Sequence, residues 1–262
     1  MKKNHITRAI THTVAPRGLA LFTYLAVTGI PHERSIIADL LWSDISEKKA
    51  KENLRYVLYD LKKVLGDYLE ITRRTIAFNQ YAPYWLDTEA FSSFMGQINP
   101  LKFLDLFEHA LQVYQSPFLE GFYIRRAPVF EEWVRTQQQH FQQDFVEGLY
   151  QCITYGVEQA DYKTGLKASR QLLRLEPWNE DAHVQHMRLL AYDGQRSAAL
   201  AQYEVCRRMV LDEYSVEPLP ETQTLYQQIR NNNFLALQSW PCSTHISDTN
   251  PLLSRAIYQS TY

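Results

Sequence analysis

A chain of 262 residues, 45% of them hydrophobic and 21% charged, has the length of two compact domains and apolar material for both cores. It contains no apolar run of about 18 residues, which excludes a membrane-spanning helix, and its three cysteines, Cys152, Cys206 and Cys242, form no CxxC pair and fit buried thiols in a reducing compartment. The formal net charge of −2 conceals an uneven spread: residues 1–80 carry 13 Lys and Arg against 8 Asp and Glu, and the remainder 14 against 21, so the front is the part suited to a polyanion.

The first residues, MKKNHITRAITHTVAPRG, are basic but lack the apolar run of a secretory leader, so a cytoplasmic location is expected. Pro16 and Gly18 open Leu19–Val27, which is apolar almost all round and stops at Gly29; this reads as a buried helix. A second helix is expected from about Glu33 to Trp42, with Ile36, Ile37, Leu40 and Leu41 on its apolar face. A third, Asp44–Leu65, begins with Asp44 as cap and Glu47 three residues on, the spacing of a capping box. Gly66 then reads as a left-handed terminator.

Placing the third helix at 100° per residue puts Ala50, Leu54, Val57, Leu58, Leu61 and Leu65 on one stripe. The opposite face carries Lys48, Glu52, Arg55, Tyr56, Tyr59 and Lys63, bordered by Lys51 and Lys62. Cations neutralise phosphate, and phenols hydrogen-bond or pack on sugars and thymine methyls. The period then shortens: Tyr68–Thr72 and Thr75–Phe78 read as two strands flanking Arg73 and Arg74. Neither arginine suits a tight two-residue turn, so a slightly longer loop is expected. A solvated basic face is ordinary by itself. The order helix, helix, basic helix, basic hairpin is that of a winged helix-turn-helix, in which the third helix enters the major groove and the wing meets the backbone or minor groove.

Residues 83–91, PYWLDTEAF, read as a junction. Beyond it helices are expected at about 100–115, 128–159, 162–176, 179–193, 195–213 and 220–230, broken at Pro117, Gly121, Pro128, Ala160-Asp161, Pro177, Gly194 and Pro218/Pro220. A shift of 34 residues superposes Ala160 on Gly194, Leu166 on Leu200 and Ser169 on Tyr203. That is the tetratricopeptide period, in which helix pairs bury their faces only by stacking on neighbours. Residues 231–262 lose the pattern and read as a tail or linker.

Several of these segments resemble one family. Ala38-Asp39-Leu40-Leu41-Trp42, Ala50-Lys51-Glu52-Asn53-Leu54-Arg55, Leu61-Lys62-Lys63-Val64-Leu65-Gly66 and Tyr84-Trp85-Leu86-Asp87 are similar to the N-terminal domain of SARP-type regulators. Ser116–Phe122, Phe130-Glu131-Glu132-Trp133, Tyr203–Arg208 and Val216–Thr222 resemble the bacterial transcriptional activator domain that follows it. The resemblance covers about residues 16–230. It implies a mainly α protein: a winged helix-turn-helix domain over 1–90, then an all-α, TPR-like domain over 91–230. It also implies binding of promoter DNA, often at direct repeats, and contact with RNA polymerase through the loop at Trp42, Ser43 and Asp44. A homodimer on DNA is one arrangement open to it, and the concave surface of stacked helices suits a protein or effector partner for the helical domain. Such regulators carry a small sheet before the first helix; here only about fifteen residues precede it, with Ile6–Ile10 as the candidate strand, so a truncated sheet is expected.

Within this reading Lys48, Lys51, Arg55, Tyr56 and Tyr59 approach bases or nearby phosphates, while Lys62, Arg73 and Arg74 hold the backbone. The competing reading is a protein-interaction adaptor whose winged helix no longer binds DNA. An enzyme is not expected: there is no P-loop, HExxH or GxSxG, and no Cys/His set with metal spacing, so no cofactor is expected either. His183 and His186, three apart on one helix, read as structural or solvated.

Overall fold

The computed structural model describes residues 14–96, 110, 111 and 113–232. The candidate strand Ile6–Ile10, most of the helix expected at 100–115, Cys242 and the tail beyond Asn232 lie outside the described residues. The chain divides into two compact units, Met1–Gly148 and Leu149–Tyr262.

The first unit opens with α1 (Pro16–Thr28). Pro16 occupies its first turn, where no amide donor is needed, and Gly29 ends it at φ 64°, its N–H returning to the Leu25 carbonyl. A short strand β1 (His32–Glu33) leads into α2 (Arg34–Trp42), then α3 (Glu47–Leu65), β2 (Leu69–Ile71) and β3 (Thr75–Phe78). The strands form one antiparallel sheet in the order β1-β3-β2, with Leu69 opposite Phe78, Ile71 opposite Ile76, and His32 on the other side of Ile76. This is a three-helix winged helix whose sheet anchors the hairpin to the α1–α2 connection. After α4 (Asp87–Gly96), the segment 116–127 and the start of α5 (Pro128–Glu158) fold back onto it. Ile124, Ala127, Phe130 and Val134 share one hydrophobic core with Leu21, Leu41, Leu54, Leu61 and Ile76.

Four local expectations are corrected. Ile36 is 52% exposed, because the nine-residue α2 is turned so that Ile37, Ala38, Leu40 and Leu41 fill the core. Asp44 does not cap α3: the Ile45 N–H donates to the Trp42 carbonyl, the chain turns there, and α3 starts at Glu47 after Ser46 with no side-chain cap. Glu47 pairs forward with Lys51 instead of reaching back. Gly66 is right-handed at φ −55°, since the helix tightens into a 3₁₀ turn, Gly66–Tyr68, that delivers the chain straight into β2.

The second unit holds the end of α5, then α6 (Tyr162–Leu175), α7 (Glu180–Tyr192), α8 (Arg196–Tyr214) and α9 (Pro220–Arg230); α7 packs on both α6 and α8, and α9 packs on α8. These bounds follow the sequence punctuation to within a residue or two. Asp161 caps α6 through the Thr164 N–H, Asn179 caps α7 through the Ala182 N–H, and Pro220 starts α9. The 34-residue shift has a backbone counterpart: Ala160 and Gly194 both adopt left-handed conformations, at φ 54° and 77°. The α5–α6 pair approaches closely at two glycines. A Cβ on Gly156 would lie 2.9 Å from both Cα and N of Gly165, so only glycine permits the contact. The architecture is the winged helix plus TPR-like helical domain that the resemblance implies.

Candidate nucleic-acid interface

The geometry of α3 follows from its composition. Ala50, Leu54, Leu58, Leu61 and Leu65 are buried and Val57 is half-buried, which fixes the rotation of the helix about its axis. Lys48, Lys51, Glu52, Arg55, Tyr56, Tyr59, Lys62 and Lys63 are consequently all exposed, Tyr56 and Tyr59 at 73% and 64%. Large phenols so open to water are available to another surface.

The cations of this face are not equivalent. Lys51 is held by Glu47, and the hydrogen bond and charge of Lys51 keep the Glu47 carboxyl below the usual carboxylate range. Lys63 stands 3.7 Å from the Asp60 carboxylate and 3.9 Å from the centre of the Tyr59 ring. Lys48, Arg55 and Lys62 form no salt bridge among the described residues. They are seven residues apart, so they fall nearly in line along the helix at intervals of about 10 Å. That line, flanked by Tyr56 and Tyr59, is the most cationic strip of α3.

The wing presents Arg73 and Arg74, both exposed, at the tip of β2–β3. The loop is shorter than the sequence leads one to expect. The Thr72 N–H donates to the Thr75 carbonyl at 2.9 Å, leaving only the two arginines between. Neither has positive φ, so the turn is not the mirror-image type that two-residue hairpins favour. The Thr72 hydroxyl takes over the closure, accepting the N–H groups of Thr75 at 2.8 Å and Arg74 at 3.2 Å. Arg34, at the start of α2, donates its own N–H to the Arg74 carbonyl at 3.0 Å and its guanidinium to the Thr72 carbonyl at 3.1 Å. A Thr at each end of an Arg-Arg pair could have signalled such a hydroxyl-closed turn. Nothing local signals Arg34, whose partner is 38 residues away.

The loop expected to face polymerase is divided. Trp42 is 5% exposed, with the Arg17 guanidinium 5.6 Å from its ring centre. Arg17 also donates to the carbonyls of Leu41 and Arg125. Trp42 therefore belongs to the core, and only Ser43 and Asp44 are at the surface.

In the second unit both singled-out histidines are buried. His183 donates from Nε2 to the Pro177 carbonyl at 2.9 Å and accepts at Nδ1 from the Gln202 amide at 2.6 Å. Nδ1 of His186 shares a 2.7 Å hydrogen bond with the Ser169 hydroxyl. Burial lowers the pKa of both, and that of His186 falls to about 4. They are packing elements held by neutral hydrogen bonds. Cys152 and Cys206 are buried thiols whose pKa burial raises.

Comparison with known proteins places these features in context. The family described as "Bacterial transcriptional activator domain" matches residues 98–230. No curated protein matches the chain. Among solved structures, the fold is similar to that of Mycobacterium tuberculosis EmbR in complex with a low affinity phosphopeptide, with a TM-score of 0.59 at 15% identity over 84% of this chain. The chain spans 60% of the length of that protein.

Proposed function

The chain belongs to the bacterial transcriptional activator domain family, and on that premise we propose that it regulates transcription by binding double-stranded DNA through α3 and the β2–β3 wing. The observation that carries this reading is the exposed line Lys48, Arg55 and Lys62, flanked by Tyr56 and Tyr59, on a helix whose other face is buried. An α-helix fits the major groove, where Arg55 can make a bidentate contact to guanine and the phenols can meet thymine methyls. Lys51 joins them once a phosphate competes for it with Glu47. Lys62, Arg73 and Arg74 take phosphates and set the register. Ser43 and Asp44, in the turn before α3, are the residues offered to RNA polymerase, and repeated operator sites would be filled by a homodimer.

Electrophoretic mobility shifts of the full chain on operator fragments, run across a salt series, test the reading. Affinity should fall steeply with salt, with a slope set by the number of phosphates neutralised. Binding to no fragment at any salt concentration would defeat it.

A second reading is supported at the other end of the chain. Trp178 and Leu219 are 45% and 58% exposed, and the Leu219 N–H is held by the Glu180 carboxylate at 2.7 Å, which ties the chain before α9 to the first turn of α7. Large exposed apolar side chains on a TPR-like domain suit a protein partner. The similar EmbR structure is a complex with a phosphopeptide. A pull-down that loses its partner on Trp178→Ala, with DNA binding unchanged, would establish this role beside the first.

A further inference from the structure

We propose that the Thr72 hydroxyl and Arg34 are positioning residues that set the attitude of Arg73 and Arg74 toward the DNA backbone, an inference that rests on the DNA-binding reading above. Two arginines in a two-residue hairpin loop are poorly suited to the left-handed backbone that normally closes it, and here they avoid it. The closing Thr75 N–H is met by the Thr72 side chain instead of the Thr72 carbonyl. The hydroxyl also receives the Arg74 N–H and donates toward the carbonyl or hydroxyl of Thr75. The Thr72 carbonyl is thereby released to the Arg34 guanidinium, and the Arg74 carbonyl receives the Arg34 N–H. Main chain and side chain of one residue thus tie both sides of the wing tip to the first turn of α2. Arg73 and Arg74 take no part in this closure with their side chains, which leaves both guanidinium groups for an anion.

The arrangement separates two jobs that a flexible arginine loop would confuse. A mobile wing could still attract DNA, but it would lose affinity to the entropy of ordering the loop on each phosphate. A wing held from behind presents both charges with that cost already met during folding.

The test uses a substitution that changes no charge. Thr72→Val keeps the shape and removes the acceptor, Thr72→Ser restores it, and Arg34→Lys keeps the charge but loses the planar reach. Two quantities are read on the full chain: amide hydrogen exchange at Arg74 and Thr75 in the free protein, and the slope of log affinity against log salt on an operator fragment. Thr72→Val should speed exchange at both amides and lower the slope by about 1 to 2, as though one or two phosphate contacts were lost. Thr72→Ser should restore both, and Arg34→Lys should lower the slope with Thr72 intact. Mere destabilisation would reduce the competent fraction equally at every salt concentration and leave the slope untouched. A steep wild-type slope that Thr72→Val leaves unchanged overturns the positioning role alone. A wild type that binds no DNA overturns the DNA-binding reading and this inference with it, while exchange at Arg74 and Thr75 still reports the turn itself.

Discussion

Tyr24 of α1 meets Trp133 of α5 edge to face, with ring centres 4.9 Å apart. Tyr24 also lies 4.8 Å from the ring of His32, which sits in β1 opposite Ile76. The sheet that carries the wing, the first helix and the start of the long helix therefore pack through consecutive rings. Trp133 in turn touches Phe118 and Phe130.

This packing makes residues 118–134 part of the winged-helix core. Trp133→Ala should destabilise the first unit by roughly 3 kcal/mol, the usual cost of truncating a large aromatic in a packed setting. A fragment ending at residue 90 should bind hydrophobic dye and lack a cooperative thermal transition, whereas one ending at 148 should melt sharply. Calorimetry of the two fragments separates these outcomes.

On α3, Arg55→Ala should weaken binding to the cognate site by roughly 1–3 kcal/mol and relax one base preference, with the melting temperature unchanged because Arg55 is exposed. Arg73→Ala and Arg74→Ala should each weaken binding to all sequences alike and lower the salt slope by about 1. Selection of binding sequences from a random pool distinguishes the two kinds of loss.

The glycines give opposite expectations. Gly156→Ala forces a Cβ to 2.9 Å from the Gly165 backbone, and this overpacking should destabilise the second unit by about 1–3 kcal/mol. Gly66→Ala meets nothing closer than a Lys62 carbon at 3.7 Å, at a right-handed position. It should be neutral or stabilising by about 0.4–1 kcal/mol. Thermal melts of the two variants check both signs, and a large loss on Gly66→Ala would restore the left-handed terminator that the sequence suggests.

Acid should act on the second unit through His186. Its folded pKa, about 4, lies below the unfolded value because burial disfavours the cation and the charge of Arg170, joined by that of His183 once it is protonated, opposes it. The unfolded chain then binds more protons across the interval between the two values, so stability is complete above about pH 6.5 and declines as pH falls toward 4. Urea melts at pH 7.5 and 5 should show the loss, and His186→Gln should reduce the difference between them.

Much of this was legible in the residues, for a physical reason. The rotation of α3 follows from a six-residue apolar stripe that no other face could replace. The bounds of α5 to α9 follow from Pro128, Asp161, Asn179, Gly194 and Pro220, whose local backbone chemistry starts or ends helices wherever they stand. What failed was local inference in places where tertiary contact decides. Ile36 looked like core and is not, because a nine-residue helix has two apolar sides and packing selects one. Asp44 had the right spacing for a cap, but the α2–α3 turn closes on Trp42 first. The wing loop looked too poor in glycine to be tight, yet a threonine hydroxyl and a distant arginine close it. Arg17, which reaches the carbonyls of Leu41 and Arg125, was invisible for the same reason: its partners are 24 and 108 residues away.

In the cell, α3 should hold the protein at its promoters. Immunoprecipitation of the full chain with cross-linked genomic DNA, run beside Arg55→Ala, measures this. Discrete enriched sites sharing a repeated motif are expected, largely lost with Arg55→Ala at equal protein level. Enrichment no greater than in an untagged control, or the same sites at the same strength with Arg55→Ala, would contradict it.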